Sequence, residues 1–229
     1  RRVAFFLRAN SNLYSSITSK ILSFEFFDIL GQLDSYVEKL NSLKPTILVA
    51  QPSILVELAS YLEKGVLSIS PSKIISVAEV LSPEDSKYLK NIFKQTIHQV
   101  YQCTEGLLAT TCSHGNLHFN DDFLILEKKY LDAEKKRFHP VITDLLRTTQ
   151  PVIRYELNDI IHEKNNCPCG SKKTVIEKIE GRSDDVLSFK SNQNEKVIIY
   201  PDFFRREIIL AHPSINDFTI VQKTDSHLE

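Results

Sequence analysis

The chain has 229 residues, 42% of them hydrophobic, which is enough to bury a core in one large domain or two small ones. Its 28 basic and 29 acidic residues leave a net charge of -1, so no overall field favours nucleic acid or an anionic membrane as a partner. No apolar run approaches the roughly 20 residues of a membrane span, and the start lacks the features of a signal peptide, which predicts a cytoplasmic protein. The absence of Met and Trp predicts either a piece of a longer protein or a sequence that omits selenomethionines.

The first half of the chain alternates between helical and strand patterns. The predicted elements are, in order, a strand or short helix at 24–29, a helix capped by Asp34 and ending at Lys44, a strand at 46–50, a helix at 52–61, a strand at 73–78, a helix at 82–94 and a strand at 97–101. Three strands joined by two helices of this length form a parallel βαβαβ unit. The ends of these strands at Ala78-Glu79 and Thr104-Glu105 are therefore expected at one rim of the sheet, where α/β proteins hold their ligands.

From residue 116 onward the pattern changes to short strand-like runs at the spacing of a small antiparallel sheet or barrel. The predicted strands lie at 117–119, 123–127, 138–146, 151–157, 160–162, 175–179, 186–187 and 217–222, with a charged hairpin tip at 132–137, a loop at 163–173, a turn at 181–185 and a helix at 202–210. The predicted fold class is thus α/β, with a parallel βαβαβ unit followed by an antiparallel β-barrel-like region.

Three separated stretches carry residues suited to nucleotide chemistry. Thr104-Glu105-Gly106 presents a hydroxyl and a carboxylate at a strand end, where they can contact a phosphate and a divalent cation. The alternative interpretation is an ordinary strand-to-helix turn with a capping threonine. Asp159 follows a strand and can accept hydrogen bonds from the vicinal hydroxyls of a ribose. Arg182 lies in the turn Gly181–Asp185, from which a guanidinium can reach the same sugar or a phosphate.

Cysteine and histidine spacing predicts a metal site. In a reducing compartment cysteines are thiols or metal ligands rather than disulfides. Cys112 and His118, brought against Cys167 and Cys169, offer three sulfurs and one imidazole, which is a closed tetrahedral set and hence a structural zinc site. His114 is the competing imidazole. The remaining cysteine, Cys103, is interpreted as a small packed residue.

The combination of these stretches resembles the adenylate-forming superfamily of acyl-CoA synthetases, and within it the branch related to phenylacetate-CoA ligase and coenzyme F synthetase. The matching residues are Ser76–Leu81, Tyr101–Gly106, Thr143-Asp144-Leu145, Arg154-Tyr155, Asn158-Asp159, Cys167–Gly170 and Gly181–Asp185. In such enzymes a carboxylate attacks the α-phosphate of ATP and releases pyrophosphate. The resulting acyl adenylate is then usually captured by a thiol such as coenzyme A.

The resemblance implies roles only for residues that match. Ala78 and Glu79 would line the adenine pocket, Tyr101 would stack near the base, Thr104 would touch the α-phosphate, Glu105 would hold Mg²⁺, Asp159 would grip the ribose with help from Arg182, and Asp184 would be the hinge of a small C-terminal domain. The implied cofactors are ATP or AMP, Mg²⁺ and a structural Zn²⁺. The implied partners are a small carboxylic acid and coenzyme A, with no nucleic acid and no membrane, and resembled enzymes often form homodimers.

Some family features are not recognisable. The Gly-rich phosphate loop is not seen, and Lys190, Lys196 and Lys223 are the only lysines after the hinge. Asn158 stands where the family usually has a small residue. We therefore interpret the chain as the nucleotide-facing fragment of a ligase, inactive alone, with an α/β part at 1–115, a β-rich subdomain with the zinc loop at 116–180, and the hinge and start of a hinged α+β C-terminal domain at 181–229. The alternative is a non-catalytic, zinc-stabilised nucleotide-binding module.

Overall fold

The structure is a computed structural model, which describes residues 1–7, 19, 21–191, 196–199, 204, 208, 218–224 and 227–229. The chain divides into two compact units. The α/β unit consists of Arg1–Asn120 and Cys167–Lys173, and the β-rich unit consists of Asp121–Asn166 and Thr174–Glu229. The domain boundaries expected after residues 115 and 180 stay predictions.

The α/β unit is built on one large, mostly parallel sheet. Its elements are β1 (Arg2–Leu7), β2 (Ser23–Asp28), a 3-10 turn (Leu33–Tyr36), α1 (Val37–Leu43), β3 (Ile47–Ala50), α2 (Pro52–Glu63), β4 (Lys73–Ser76), α3 (Pro83–Phe93), β5 (Ile97–Cys103), β6 (Gly106–Thr111) and β7 (Leu117–Phe119). The strand order is β2-β1-β3-β4-β5-β6-β7, parallel as far as β5 and antiparallel from there on. The predicted α/β class and its βαβαβ unit, β3-α2-β4-α3-β5, are confirmed.

The helices form where the sequence supplies their ends. Pro52 occupies the first turn of α2, and Ser82 caps α3 by accepting a hydrogen bond from the backbone N–H of Asp85 at 3.0 Å. Leu55, Leu58 and Leu89 are fully buried and pack these two helices into the core of the unit. The strand ends beyond β3, β4 and β5 are thereby held at one edge of the sheet.

One predicted helix start is wrong. Asp34 does not cap an α-helix, because it lies inside the 3-10 turn and α1 begins only at Val37. Its carboxylate instead accepts a hydrogen bond from the Tyr61 hydroxyl at 2.5 Å. This bond raises the pKa of Tyr61 to about 12. Asp34 therefore ties the turn to α2 rather than starting a helix.

The β-rich unit is antiparallel. Its elements are β8 (Leu124–Tyr130), β9 (Arg137–Asp144), β10 (Tyr155–Glu156), β11 (Asp159–Lys164), β12 (Val175–Arg182), a 3-10 turn (Ser183–Asp185), β13 (Leu187–Lys190), β14 (Lys196–Ile199), β15 (Gln222–Thr224) and β16 (His227–Leu228). β9 pairs with β8 along its whole length and with both β10 and β11, while β11 also pairs with β12. Two further two-stranded sheets are β13-β14 and β15-β16.

Several predictions in this unit need correction. The strand expected at 151–157 shrinks to Tyr155–Glu156, because Arg154 has a left-handed backbone with φ 48°. The turn expected to begin at residue 181 starts later, since β12 continues through Arg182. Of the described residues of the strand expected at 217–222, only Gln222 lies in a strand, β15, and residues 218–221 do not. Of the helix expected at 202–210, only residues 204 and 208 are described, and both are helical. Among the described residues, no helix is long and apolar enough to cross a membrane.

Candidate nucleotide site and metal centre

A strained turn follows β4 at the predicted adenine-binding segment. The backbone N–H of Glu79 donates to the carbonyl of Val77 at 2.8 Å, and the residue between them, Ala78, has φ 66°. This is a γ-turn with a positive central φ, a conformation that is rare and strained for a residue with a side chain. Strained backbone of this kind is concentrated at functional sites. Ala78 and Glu79 are both exposed at the sheet edge.

Glu79 already has a structural task in the described structure. Its carboxylate accepts hydrogen bonds from the backbone N–H of Ser53 at 3.4 Å and from the Ser53 hydroxyl at 3.2 Å. Ser53 lies in the first turn of α2, where backbone N–H groups have no partner within the helix. The carboxylate therefore caps the positive end of the α2 dipole. Any contact with adenine would have to be made beside this cap.

Thr104 and Glu105 form the whole turn of a tight β-hairpin. Cys103, the last residue of β5, pairs with Gly106, the first residue of β6, so these two residues are the entire connection. The alternative strand-to-helix turn is therefore wrong, because another strand follows. Ser76 of β4 pairs with Gln99 of β5, which directs the hairpin and the γ-turn to the same edge of the sheet.

Two neighbours of the hairpin are packed inward. Burial, followed by a hydrogen bond with the Glu105 carboxylate, raises the pKa of the Cys103 thiol to about 11, so this thiol is neutral near pH 7. Tyr101 is only 8% exposed and packs edge-on against Phe119, with ring centroids 6.2 Å apart. Cys103 is thus a packed residue, as the sequence predicts. The stacking role of Tyr101 stays a prediction.

In the β-rich unit, the structure brings the predicted ribose and hinge residues together. Asp159 and Arg182 pair directly across β11 and β12, with Arg182 Nε 3.8 Å from Asp159 Oδ1. Asn158 donates from Nδ2 to Asp184 Oδ2 at 2.6 Å, and the carbonyl of Asn158 accepts from the N–H of Ser183 at 2.7 Å. Residues more than twenty positions apart therefore form one polar cluster. The Asp159 side chain is 17% exposed, which leaves it accessible from one side.

The four predicted metal ligands also lie together, all of them within the α/β unit. The ligand atoms of Cys112, His118, Cys167 and Cys169 lie within 4.8 Å of one another. His118, buried on β7, faces Cys169 Sγ through Nε2, whereas His114 is exposed in the preceding turn. The choice between the two imidazoles thus falls on His118.

Two of the separations between ligand atoms in this cluster match those of a tetrahedral zinc ion, and all four atoms lie within 4.8 Å of one another. A tetrahedral ion with Zn–S near 2.3 Å and Zn–N near 2.0 Å requires S···S separations of about 3.8 Å and S···N separations of about 3.5 Å. The Cys112 and Cys167 sulfurs are 3.7 Å apart, and Cys169 Sγ is 3.6 Å from His118 Nε2. A sulfur separation of 3.7 Å is far too long for a disulfide, for which about 2.05 Å is required. Three thiols and an imidazole are also the donors that zinc prefers.

Two similar turns present the cysteines. In the first, the N–H of Gly115 donates to the carbonyl of Cys112 at 3.0 Å; in the second, the N–H of Gly170 donates to the carbonyl of Cys167 at 3.2 Å. Both glycines have positive φ, 82° and 77°, which allows these tight turns without strain. Desolvation opposes ionisation of Cys167, but hydrogen bonds from the Cys169 backbone and from the surrounding side chains outweigh it and lower the pKa of this thiol to about 6.

Two curated proteins are similar to the chain. Protein CapK of Staphylococcus aureus is 27% identical over 160 residues, which cover 68% of this chain and 35% of that protein. Indoleacetate–lysine synthetase of Pseudomonas savastanoi is 29% identical over 136 residues, which cover 58% of this chain and 33% of that protein. The chain thus spans about a third of the length of these relatives. No family model matches it.

Solved structures extend the comparison to the fold. 2-Hydroxyisobutyryl-CoA ligase in the postadenylation state superposes with a TM-score of 0.67 at 18% identity, over 88% of this chain and 46% of that one. The chain has the fold of the adenylate-forming ligases. Anthranilate CoA ligase in complex with anthranoyl-AMP agrees, with a TM-score of 0.61 at 14% identity over 93% of this chain and 44% of that one. The superfamily resemblance predicted from the sequence is therefore confirmed for the fold.

The adenylate-forming fold of this chain also contains polar contacts that the sequence did not indicate. Asn116 donates from Nδ2 to Cys167 Sγ at 3.2 Å. Arg154 makes a two-point ion pair with Glu127, with N···O distances of 2.9 and 3.0 Å, and its backbone N–H donates to the Thr143 hydroxyl. The proximity of Asn116 to Cys112 in the sequence was a usable signal. The partners of Arg154 are distant in the sequence, on β8 and β9, so no local sequence pattern indicated these contacts.

Proposed function

We propose that the chain is the nucleotide-facing part of an AMP-forming carboxylate ligase, which activates a small carboxylic acid with ATP and releases pyrophosphate. The observation that carries this proposal is the pairing of Asp159 with Arg182, a carboxylate and a guanidinium side by side, on a fold shared with ligases. Solved structures of two such ligases contain acyl-AMP ligands. A fold match alone would not support an activity, whereas suitable polar residues on that fold do.

Four of the predicted residues have a physical task at the ribose and the phosphate in this reaction. The Asp159 carboxylate accepts hydrogen bonds from the ribose hydroxyls, and Arg182 assists from the neighbouring strand. The Thr104 hydroxyl donates to an oxygen of the α-phosphate. The Glu105 carboxylate would hold Mg²⁺, which would supply positive charge near the reacting phosphate. Phosphoryl chemistry is catalysed mainly by such positioning and charge neutralisation.

The Asn158–Asp184 contact supports a pivot at this place. Asp184 lies in the turn Ser183–Asp185, between β12 and the sheet formed by β13 and β14. A few backbone dihedral angles in this turn set the direction of the chain that follows it. The Asn158 amide donates a hydrogen bond to Asp184 within the turn. We assign Asp184 as the hinge, and coenzyme A as the acceptor in the second step. A neighbouring ligase structure contains coenzyme A together with the acyl adenylate.

The Cys112, His118, Cys167 and Cys169 cluster completes the proposal as a structural zinc site. With four protein donors the ion has no open position for substrate, so its task is to hold the two turns together. Because metal and folded turns form together, zinc binding supplies folding free energy.

The decisive experiment measures two activities separately. AMP and ATP binding is followed by titration calorimetry on the 229-residue chain, and acid-dependent pyrophosphate release is assayed on the longer protein across aryl and fatty acids. Asp159→Ala should weaken AMP binding by about a hundredfold or more, because two charge-assisted hydrogen bonds are lost, each worth about 1.5 kcal/mol or more. Asp122→Ala, an exposed carboxylate of the same unit, serves as the control.

Three outcomes are informative. AMP binding with acid-dependent pyrophosphate release supports the ligase. Binding by both proteins without release under any acid favours the non-catalytic nucleotide-binding module. Equal AMP affinity in Asp159→Ala and Asp122→Ala would contradict the assignment of the ribose site.

A further inference from the structure

Asn116 connects the two cysteine turns of the metal centre. Its backbone carbonyl accepts a hydrogen bond from the N–H of Cys112 at 2.9 Å, which closes the first turn. Its side-chain Nδ2 lies 3.2 Å from the sulfur of Cys167 in the second turn. One residue therefore braces one turn through its backbone and contacts a ligand atom of the other through its side chain. These two contacts can be separated by mutation, because only the second requires the amide.

The contact between the Asn116 amide and the Cys167 sulfur is electrostatically favourable if a metal is bound. Three ionised cysteines and one neutral histidine around Zn²⁺ give the centre a net charge of about -1. A thiolate is an acceptor only, so it favours an N–H group in its outer shell. The Asn116 amide presents its nitrogen to Cys167, which is the orientation that a thiolate requires.

A positively charged group also lies beside the first turn. A Cβ atom built on Gly115 would lie 3.5 Å from Nζ of Lys90, so the ammonium of Lys90 sits against this glycine. Lys90 belongs to the last turn of α3, where a cation also complements the helix dipole. The first turn thus carries the Asn116 amide donor and has the Lys90 ammonium against its glycine.

We propose that Asn116 is the outer-shell hydrogen-bond donor of the zinc centre, acting on Cys167, and that Lys90 adds to the charge balance. The inference rests on the zinc binding proposed above and is independent of any nucleotide chemistry. Asn116 does not bind the metal; it positions and stabilises a ligand that does. Removing the amide leaves the Cys167 thiolate without this donor, which should weaken metal binding and increase electron donation from sulfur to the metal.

The test compares Asn116→Ala, Asn116→Asp and the control Asn91→Ala, an exposed asparagine on α3. Zinc affinity is measured by competition with a chromogenic chelator on the 229-residue chain. We expect a loss of about tenfold or more for Asn116→Ala, the lower end of the range for outer-shell residues, and a change of less than about twofold for Asn91→Ala. The Asn116→Asp variant should bind zinc more weakly than the Asn116→Ala variant, because a carboxylate then faces the Cys167 thiolate.

Two further readouts separate this role from a general packing role. If Asn116 only filled space, the isosteric Asn116→Asp variant would lose less zinc affinity than Asn116→Ala. A smaller loss in Asn116→Asp than in Asn116→Ala would therefore overturn the proposal. In the Co²⁺-substituted chain, the thiolate-to-metal charge-transfer band should move to lower energy in Asn116→Ala and stay unchanged in Asn91→Ala. Lys90→Gln should weaken zinc binding, more strongly at low salt, whereas Lys87→Gln should not.

The failures of the two proposals are distinguishable. Zinc affinity and a charge-transfer band that are the same in Asn116→Ala and the original chain would overturn the assignment of Asn116. An original chain that binds neither Zn²⁺ nor Co²⁺ would overturn the metal centre together with it, and would leave the adenylation proposal untouched. Absence of pyrophosphate release would leave the Asn116 assignment intact.

Discussion

At the scale of single residues, Ala78 is the position where backbone and side chain disagree. Its φ of 66° lies in the left-handed region, which costs a residue with a Cβ about 1 to 2 kcal/mol. The fold compensates with the short hydrogen bond from Glu79 to Val77. The Ala78 methyl group is larger than the hydrogen atom of a glycine, so it takes up space next to the proposed adenine pocket.

Ala78→Gly should therefore stabilise the protein. Relief of the left-handed strain is worth about 1 to 2 kcal/mol, and the extra freedom of glycine in the unfolded chain takes back about 0.5 to 1 kcal/mol. We expect a net gain of about 0.5 to 1 kcal/mol in the free energy of unfolding, measured in urea. Ala109→Gly, in the buried middle of β6, is the contrasting variant and should lose stability. A destabilised Ala78→Gly protein would show that the methyl group packs usefully.

At the scale of elements, α2 depends on a residue outside itself. The flanking residue Gln51 makes no side-chain cap, and the Glu79 carboxylate reaches the first turn from the end of β4. Helix and strand end are thus linked by a charge-assisted contact. A nucleotide that bound at Glu79 would therefore also affect the hydrogen bonds of Glu79 to the first turn of α2.

Glu79→Ala should lower the free energy of unfolding by about 0.5 to 1 kcal/mol, the usual value of a capping or helix-dipole contact. Glu79→Gln keeps an acceptor but removes the charge, so it should lose only part of this amount. Urea unfolding of both variants at low and high salt checks the prediction, since the charged part weakens with added salt. Equal stability of all three proteins would mean that solvent caps the helix equally well.

The elements that the sequence predicted well are those with local signals. Buried strands bounded by capping and proline residues gave β3, α2, β4 and α3 nearly at their observed ends. The β5-β6 hairpin was missed, because Thr104-Glu105 lacks the Asn-Gly or Asp-Gly pair typical of two-residue turns. The break at Arg154 was missed because its left-handed conformation is held by Thr143 and Glu127, which lie on other strands.

The candidate site was predictable to a similar degree. Spacing alone indicated the three cysteines and the histidine of the metal cluster, although it left His114 and His118 open. The adjacency of Asp159 and Arg182 depends on the pairing of β11 with β12, which no local pattern encodes. The family resemblance supplied the expectation that both bind one sugar, and the pairing supplies the proximity that this role needs.

At the scale of the whole molecule, a zinc ion in the proposed centre would act as a cross-link along the chain. It would join Cys112 to Cys167, which are 55 positions apart in the sequence and lie in the α/β unit. Closing a loop of that length with a covalent bond is worth about 4 kcal/mol in the chain-entropy model. A zinc ion held by both ends constrains the unfolded chain in a comparable way, provided that it stays bound.

Removal of the metal should therefore lower the melting temperature by about 10 °C, the shift that a loss of this size produces in a chain of this length. The measurement is thermal unfolding followed by circular dichroism, with and without a zinc chelator. Cys169→Ala should reproduce the effect of the chelator and should no longer respond to it. Cys103→Ala, which alters a packed thiol outside the cluster, should keep its response to the chelator; loss of that response would contradict the assignment of the four ligands.

The hairpin between β5 and β6 has an implication for sequence divergence. Since Thr104 and Glu105 are the complete connection, both side chains are held between two paired strands with no further residue in the turn. Inserting a single residue would shift one strand against the other and turn its side chains to the opposite face. The length of this turn should therefore be constrained during evolution as strongly as its residue types. Insertions and deletions should be tolerated more readily elsewhere in the chain than in this turn.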